Sequence, residues 1–247
     1  MTAIITLLTD FGTADGYVGE VKGMLLIGAP GADIVDITHD IPPHDVDRGR
    51  LTVMRYWRRF PAGTVHMAVV DPDVGMDRAA IAVLSDGQFL VGPDNGLLSP
   101  ALLQPGAQVV KLAAVPTASP TFHARDIFAP AAARLACGAA IETLGALGHD
   151  PVVLLTPEPE RDAKGAIVGM VVAIDHFGNA ITNLMAIRAT RVHVAGKTLR
   201  LVRAYGHLDA GEAGALIGST GYLEIAVGEG SAAKQLGLAK GTAVRIS

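Results

Sequence analysis

The first part of the chain alternates short apolar runs with longer amphipathic stretches. Ile4–Thr9 is a run of leucine and β-branched residues, and a glycine-containing loop follows it. In the next stretch Val18, Val21 and Leu25 recur at spacings of three and four, which predicts a helix. A strand-like, a helix-like and a second strand-like segment come next, at 32–38, 46–59 and 64–70. This alternation predicts an α/β domain with a mainly parallel sheet flanked by helices.

The pattern changes after Pro151. Segment 156–165 is rich in proline and charge and poor in apolar residues, which is typical of a linker. Short β-prone runs separated by glycines follow, at 167–174, 191–194, 198–202, 222–227 and 242–246. They predict a small all-β barrel. The predicted organisation is therefore an α/β domain at 1–155, a linker at 156–165 and a β-barrel domain at 166–247.

Composition narrows the class of protein. Half of the 247 residues are hydrophobic, so the chain can bury a core. The net charge is −4 and aromatic residues make up 4% of the chain, so we expect no nucleic-acid groove with stacking platforms. The longest apolar run, at 166–174, is about half of the ~20 residues that a membrane helix needs. The first ten residues lack the pattern of a signal peptide, so we expect a soluble cytoplasmic protein.

Cys137 is the only cysteine, which excludes an internal disulfide and a CxxC metal motif. It stands in an apolar, helix-like stretch at 131–140. We interpret it as a small hydrophobic residue that is buried in the core.

Polar clusters follow several of the strand-like runs. In open α/β sheets ligands bind beyond the carboxyl ends of the strands, which makes Asp10 and Asp71 candidate ligand contacts. A helix cap or a loop turn is the alternative for either aspartate. The pairs His39-Asp40, His44-Asp45 and Asp175-His176 raise the possibility of a metal site. None of them has the spacing of a zinc motif, so we predict no metal.

Six motifs in a fixed order carry a resemblance that spans nearly the whole chain. They are Leu8-Thr-Asp-Phe-Gly12, Val69-Val-Asp-Pro-Asp-Val-Gly75 with Arg78, Gly92-Pro-Asp-Asn-Gly-Leu97, Thr121-Phe-His-Ala-Arg-Asp-Ile-Phe-Ala-Pro130, Asp175-His-Phe-Gly-Asn-Ala-Ile-Thr-Asn183 and Gly218-Ser-Thr-Gly-Tyr-Leu-Glu-Ile-Ala226. On these motifs the chain resembles the S-adenosylmethionine hydroxide adenosyltransferases, a family related to fluorinating and chlorinating enzymes.

The resemblance implies an N-terminal α/β domain and a C-terminal β-barrel. It implies hydrolysis of S-adenosyl-L-methionine (SAM) to adenosine and L-methionine, with SAM as the substrate and no cofactor. It also implies a homotrimer whose sites lie between the N-terminal domain of one subunit and the C-terminal domain of a neighbour.

The resemblance further assigns roles to individual residues. An Asp-Arg-His set marks the hydrolase branch, and Asp71, Arg78 and His123 match it, whereas the halogenating branch carries tyrosine in place of Asp71. The matching substrate contacts are Asp10 to the ribose diol, Phe177 and Asn179 to adenine, and Asp175 and Ser219 to the amino acid end of methionine. The chain departs from the family pattern at Asp73 and Ala124, where glycines are usual, and at Thr220, where the fluorinating enzymes have arginine.

The chemistry of the expected reaction agrees with these residues. The leaving group departs from a sulfonium as a neutral thioether, so it needs neither a general acid nor a metal. An arginine near Asp71 would favour the charged form of this carboxylate. Asp71 or His123 could then take the proton of the attacking water, and the sequence does not choose between them. A halogenase of the same superfamily and a non-catalytic SAM sensor are the alternative functions.

Overall fold

A computed structural model describes residues 2–185 and 191–247 of the chain. It divides the chain into two units, Met1–Leu155 (the N-terminal unit) and Thr156–Ser247 (the C-terminal unit). Within the segment at 156–165, interpreted above as a linker, Glu160–Arg161 forms a short strand of the C-terminal unit.

In the N-terminal unit, residues 2–155 form seven strands and four α-helices. The strands are β1 (Ile4–Thr9), β2 (Asp33–Thr38), β3 (Val65–Val69), β4 (Ala80–Ser85), β5 (Gln88–Pro93), β6 (Gln108–Leu112) and β7 (Gly145–Leu147). The helices are α1 (Tyr17–Gly28), α2 (Val46–Tyr56), α3 (Ser99–Leu102) and α4 (Ala129–Ala136), with 3₁₀ turns at Trp57–Arg59 and Ile141–Leu144 and a π-helix at Ala124–Phe128.

The strands form one mixed sheet in the order β2-β1-β3-β5-β4-β6-β7. The first four strands of this order are parallel, and β4, β6 and β7 are antiparallel to their neighbours. The change of direction occurs at the two-residue turn Asp86-Gly87, where both residues have positive φ (48° and 70°) as a tight hairpin requires. The predicted α/β class is confirmed, with the parallel strands confined to half of the sheet.

The central strands β1 and β3 are buried on both faces, because helices cover the sheet on each side. On one face the apolar side chains of the two strands pack with α1 and α4, and they include Ile5, Leu7, Met67, Val21, Leu25 and Ala132. On the other face they pack with α2 and the turn after it, and they include Leu8, Ala68, Val70, Val53 and Trp57.

The order of the parallel strands creates a crevice at one edge of the sheet. After β1 the chain crosses to β2 on one side, and after β2 it crosses to β3 on the other side of β1. The carboxyl ends of β1 and β3 are adjacent, with Thr9 paired to Val69. The connections leave these two ends in opposite directions, which opens a ligand-sized gap beyond them. Asp10 and Asp71 follow these two strand ends.

In the C-terminal unit, the described residues 156–185 and 191–247 form short strands and one short α-helix. The strands are β8 (Glu160–Arg161), β9 (Ile167–Ile174), β10 (Ala180–Thr182), β11 (Arg191–Val194), β12 (Lys197–Arg200), β13 (Ala213–Ile217), β14 (Leu223–Val227) and β15 (Ala243–Ile246), and the helix is α5 (Ala232–Leu236).

These strands form a nearly closed antiparallel barrel, which confirms the predicted all-β class of this part of the chain. Their order is β12-β11-β15-β9-β10-β14-β13, with β8 added beside β9. A bridge between Leu201 and Ala215 brings the two ends of this order together, and Val202 N donates to Ala215 O at 2.8 Å. Helix α5 was not predicted, although Ser231 caps its start by accepting from Lys234 N and Gly237 ends it with a left-handed φ of 64°.

Cys137 is exposed, so its interpretation as a buried residue is wrong. Helix α4 ends at Ala136, and Gly138 turns the chain away with a φ of 87°. The thiol therefore lies at the helix terminus, where it donates to Gly28 O at 3.4 Å. An apolar composition around a cysteine does not reveal where the helix ends.

Within residues 2–185 and 191–247 no helix is both long enough and apolar enough to cross a membrane. The cytoplasmic location stays a prediction.

Candidate active site

A cleft of about 420 Å³ lies at the carboxyl edge of the parallel strands, in the N-terminal unit. It is lined by Asp10, Phe11, Tyr17, Pro43, His44, Val69, Asp71, Val74, Thr121, Phe122, His123 and Ala124. The volume falls in the range of small-molecule sites, roughly 300–1,000 Å³. Apolar and aromatic side chains make up most of the lining, with a few polar groups among them, as is usual for such sites.

Asp71 and Arg78 form an ion pair that is almost completely removed from solvent. Their side chains retain only 6% and 7% of their exposure. Arg78 Nε donates to Asp71 Oδ1 at 2.8 Å, and Arg78 Nη2 donates to Asp71 Oδ2. Two parallel bonds between a guanidinium and a carboxylate hold both groups in one plane. The orientation of the Asp71 carboxylate is therefore set by Arg78.

His123 completes the cluster through the same guanidinium. Arg78 Nη2 donates to His123 Nδ1 at 2.8 Å. Burial lowers the pKa of His123, and the neighbouring positive charge of Arg78 lowers it further. The ring is therefore neutral at pH 7, and because Nδ1 accepts a hydrogen bond, the ring proton lies on Nε2. His123 consequently lines the cleft as a hydrogen-bond donor.

A glycine allows the loop that carries Asp71 and Arg78 to approach the segment that carries His123. Gly75 has a φ of 80°, and a Cβ atom there would lie 2.3 Å from Pro120 O. Any other residue would push the two segments apart. The π-helix Ala124–Phe128 begins directly after His123, and Ala129 N closes its wide turn by donating to Ala124 O. Single turns of this kind are frequent at functional sites.

Asp10 lines the same cleft as Asp71 and His123. It follows β1, and its Oδ2 accepts from the backbone N–H of His44 at 2.9 Å. In the loop after Asp10, Gly12 N donates a hydrogen bond to His39 O at 2.8 Å. His39 is itself buried, and its Nδ1 lies 2.8 Å from Thr9 Oγ1. The main chain around Asp10 is thus anchored to the segment that follows β2.

Three aromatic rings form one wall of the cleft. Phe11, Tyr17 and Phe122 meet edge to face, with centroids 5.4–6.4 Å apart. The guanidinium of Arg125 covers Phe122 at 5.0 Å. Such contacts favour a rigid wall.

The predicted adenine contacts lie in a tight turn of the C-terminal unit. Asp175 Oδ1 accepts from Phe177 N (2.9 Å) and Asn179 N (2.8 Å), and its Oδ2 accepts from Asn179 Nδ2 (2.9 Å). Gly178 is required because a Cβ atom there would lie 2.0 Å from Ser231 Oγ. Asn179 is buried, whereas the Phe177 ring is 75% exposed. Asp175 thus organises the turn, and Phe177 presents its ring outward.

Ser219 lies in a second turn of the C-terminal unit and is exposed. Gly221 N donates to Gly218 O at 2.9 Å, and Gly218 N donates to Tyr222 O at 2.8 Å. The buried carboxylate of Glu224 fills the space beside Gly218, where a Cβ atom would lie 1.9 Å from its Oε1. The position of Ser219 is therefore fixed by the packing below the turn.

The structure brings Asp10, Asp71 and His123 together at one cleft, with Arg78 bonded to the last two. It places Asp175, Phe177, Asn179 and Ser219 on two turns of the other unit. The aromatic wall and the contact from His44 were not predicted. Phe11 could have been included, because it directly follows Asp10 at the end of a predicted strand, whereas the contact from His44 has no local sequence signal.

The histidines that had raised the metal alternative are separated. His39 Nε2 lies 3.2 Å from Asp36 Oδ1, and the His176 ring packs edge to face on Phe177 at 5.6 Å. In the part of the chain that the structure describes, no three His, Cys, Asp or Glu side chains are grouped so that they could hold a metal ion.

The chain is similar to a known protein family over most of its length. The SAM hydroxide adenosyltransferase N-terminal domain matches residues 5–145, and the C-terminal domain of the same family matches residues 169–245. An (R)-S-adenosyl-L-methionine hydrolase of Thermus thermophilus is 42% identical over 255 residues, which cover 98% of each chain. A fluorinase of Nocardia brasiliensis is 30% identical over 288 residues, which cover 98% of this chain and 96% of that protein.

Solved structures show the same architecture. An uncharacterized conserved protein from Thermotoga maritima superposes with a TM-score of 0.89 at 33% identity, and the match covers 98% of this chain and 99% of that one.

The buried ion pair makes a prediction about stability. Arg78→Met should lower the free energy of unfolding by about 3 kcal/mol or more, because it leaves the Asp71 carboxylate buried without its cation. Arg58→Met is the matched control, since the Arg58–Asp86 pair is 51% and 48% exposed. It should cost about 1 kcal/mol or less. Urea unfolding of both variants measures the difference, and equal losses would contradict the structural role given to Arg78.

Proposed function

This chain belongs to the SAM hydroxide adenosyltransferase family, and we propose that it hydrolyses SAM by attack of water on C5′ of the ribose. The products are adenosine and L-methionine. The observation that carries the proposal is the Asp71–Arg78–His123 cluster, in which Arg78 binds Asp71 and His123, two residues that line a cleft with Asp10 at the carboxyl edge of the sheet. A carboxylate held by a buried arginine beside a donating imidazole suits the activation of a water molecule.

The reaction needs little from the protein beyond positioning. Water oxygen forms a bond to C5′ while the C5′–S bond breaks, and the electron pair of that bond neutralises the sulfonium. The sulfur leaves as a thioether, which is stable without a proton or a metal. The enzyme must therefore place the water in line with the C5′–S bond and accept one of its protons. We propose no cofactor.

We propose distinct roles for the three residues at the cleft. Asp71 accepts the proton of the attacking water, because it is the carboxylate of the cluster and the Nδ1 lone pair of His123 is already engaged by Arg78. His123 donates its Nε2 proton to the water oxygen and orients it. Arg78 is a positioning residue, because it holds both neighbours in place.

Substrate contacts are shared between the two turns and Asp10. Asp10 binds the ribose diol, and Phe177 and Asn179 contact adenine. Asp175 and Ser219 contact the amino acid end of the substrate. Three hydrogen bonds already reach the Asp175 carboxylate, which leaves about one acceptor position for an ammonium group. The support for these roles is the family pattern together with the fixed geometry of both turns.

The two alternative functions, a halogenase and a non-catalytic SAM sensor, differ from hydrolysis in what they require of Asp71. A halogenase must hold an anion beside C5′, and the negative carboxylate of Asp71 would repel it. A sensor requires binding without turnover, and the buried cluster of Asp71 with Arg78 would then serve no purpose in the cleft. Hydrolysis uses every charged group at the site.

Incubation with SAM in heavy-oxygen water tests the reaction directly. We expect adenosine to form without added metal, nicotinamide cofactor or halide, with the label in its 5′-hydroxyl group. Mass spectrometry of the products locates the label. Label in methionine alone would exclude attack at C5′, and loss of activity with a chelator would contradict a reaction without metal.

Asp71→Asn tests the assignment of the base. The amide keeps the shape of the side chain but cannot draw a proton from water, so kcat should fall on the order of 10²–10⁴-fold with little change in the dissociation constant of SAM. Asp10→Ala should do the opposite and chiefly weaken binding, because a ribose contact exists in the ground state as well. Single-turnover kinetics and calorimetry separate the two effects, and near-normal turnover by folded Asp71→Asn would remove Asp71 from the mechanism.

A homotrimer with shared sites accounts for the division of candidate residues between the units. Phe177, an apolar ring that is 75% exposed, is suited to burial against a ligand and a second subunit. Inactive Asp71→Asn and Asn179→Ala variants should regain part of the activity after mixing and reassembly, because some sites would combine two intact halves. An active monomer in light scattering would contradict the shared site.

A further inference from the structure

His44 adopts a backbone conformation that is uncommon for residues other than glycine. Its φ is 68°, in the left-handed region that favours glycine. Three other non-glycine residues of the described chain share a positive φ: Asp86, Ala195 and Glu229. Each of these three is followed by a glycine, whereas His44 follows two prolines, in the turn that Asp45 N closes by donating to Pro42 O, and lines the cleft. The unusual conformation at His44 therefore coincides with the proposed active site.

In this turn the backbone N–H of His44 faces Asp10. This N–H donates to Asp10 Oδ2 at 2.9 Å, across a separation of 34 residues. In the part of the chain that the structure describes, no other donor is bonded to the Asp10 side chain. The carboxylate is thus held by one charge-assisted bond from the main chain, and Oδ1 is left for a ligand.

The chain on both sides of His44 is fixed. Pro42 and Pro43 have restricted φ angles before it, and Asp45 N donates to Pro42 O at 3.0 Å. After it, the Asp45 side chain caps α2 by accepting from Arg48 N at 2.9 Å. The prolines and the helix cap leave His44 little freedom to relax, so the strained conformation persists.

We propose that the left-handed main-chain conformation of His44 orients the Asp10 side chain toward the ribose hydroxyls of the substrate. His44 is in this sense a positioning residue, and its contribution comes from its backbone N–H rather than from its imidazole. The inference rests on the proposed function, because it assumes that Asp10 binds a ribose diol. The inference adds His44, in the segment that follows β2, to the residues that determine ribose recognition.

Three substitutions separate the backbone from the side chain. His44→Gly, His44→Ala and His44→Val all remove the imidazole, but they differ in tolerance of a left-handed φ. Glycine accepts it freely, alanine resists it, and valine resists it most because of its β-branch. Asp86→Val is the matched control. It places the same strain in the β4–β5 turn, at the amino end of β5 and therefore at the opposite edge of the sheet.

The readout is the ratio of the dissociation constants of 2′,3′-dideoxyadenosine and adenosine, which measures the contribution of the ribose hydroxyls. His44→Gly should keep the wild-type ratio, and His44→Val should reduce it about tenfold, the loss expected for one hydrogen bond to a charged group. His44→Ala should fall between them and serves in place of valine if that variant does not fold. Asp86→Val should leave the ratio unchanged. In an Asp10→Ala background the three substitutions at His44 should have no further effect on the ratio.

Equal ratios in the glycine variant and in the alanine and valine variants would overturn the inference, whether all are normal or all are reduced. A reduced ratio in Asp86→Val would overturn it as well, since strain alone would then suffice. In either case a wild-type enzyme that releases adenosine from SAM would leave the proposed function intact. A wild-type protein that neither binds adenosine nor cleaves SAM would refute the proposed function, and the inference with it.

Discussion

The buried ion pair of Asp71 and Arg78 is the interaction on which the geometry of the cleft depends. Removing two charges from water costs several kcal/mol for each ion, and only close pairing offsets this cost. The guanidinium therefore cannot leave the carboxylate, and its remaining N–H groups point in fixed directions. One of them engages His123 Nδ1 and so decides which nitrogen of that ring carries the proton. A single arginine thus determines both the orientation of a carboxylate and the tautomer of a histidine.

The fold places the Asp71 carboxylate and Asp10 at the same cleft. Parallel strands end at one edge of the sheet. The chain crosses to one side of β1 to form β2 and to the other side to form β3, which leaves a gap between the connections at this edge. Two local features then bring His123 to the gap. Gly75 permits the close approach to Pro120, and the π-helix after His123 alters the direction of the chain before α4 begins. Without either feature, Arg78 and His123 would belong to loops that need not touch.

Much of this arrangement could be predicted from the sequence, and the reasons for the failures are physical. Strand β1 was predictable, because a run of leucine and β-branched residues is a local signal. The convergence of Asp10 and Asp71 followed from the rule that parallel strands end at the same edge. The exposure of Cys137 and the contact from His44 to Asp10 were not predictable, because they depend on where a helix ends and on one dihedral angle.

The charges at the cleft also bear on how the site of the proposed reaction binds its substrate and releases its products. SAM carries a positive sulfonium, and Asp10 and Asp71 present two carboxylates to the cleft. These carboxylates attract the cation, and the sulfonium charge disappears when the C5′–S bond breaks. Adenosine is neutral and methionine retains no charge at sulfur, so the attraction that favours the substrate does not act on the products. The two carboxylates of the cleft therefore favour binding of the positively charged substrate over binding of the two products.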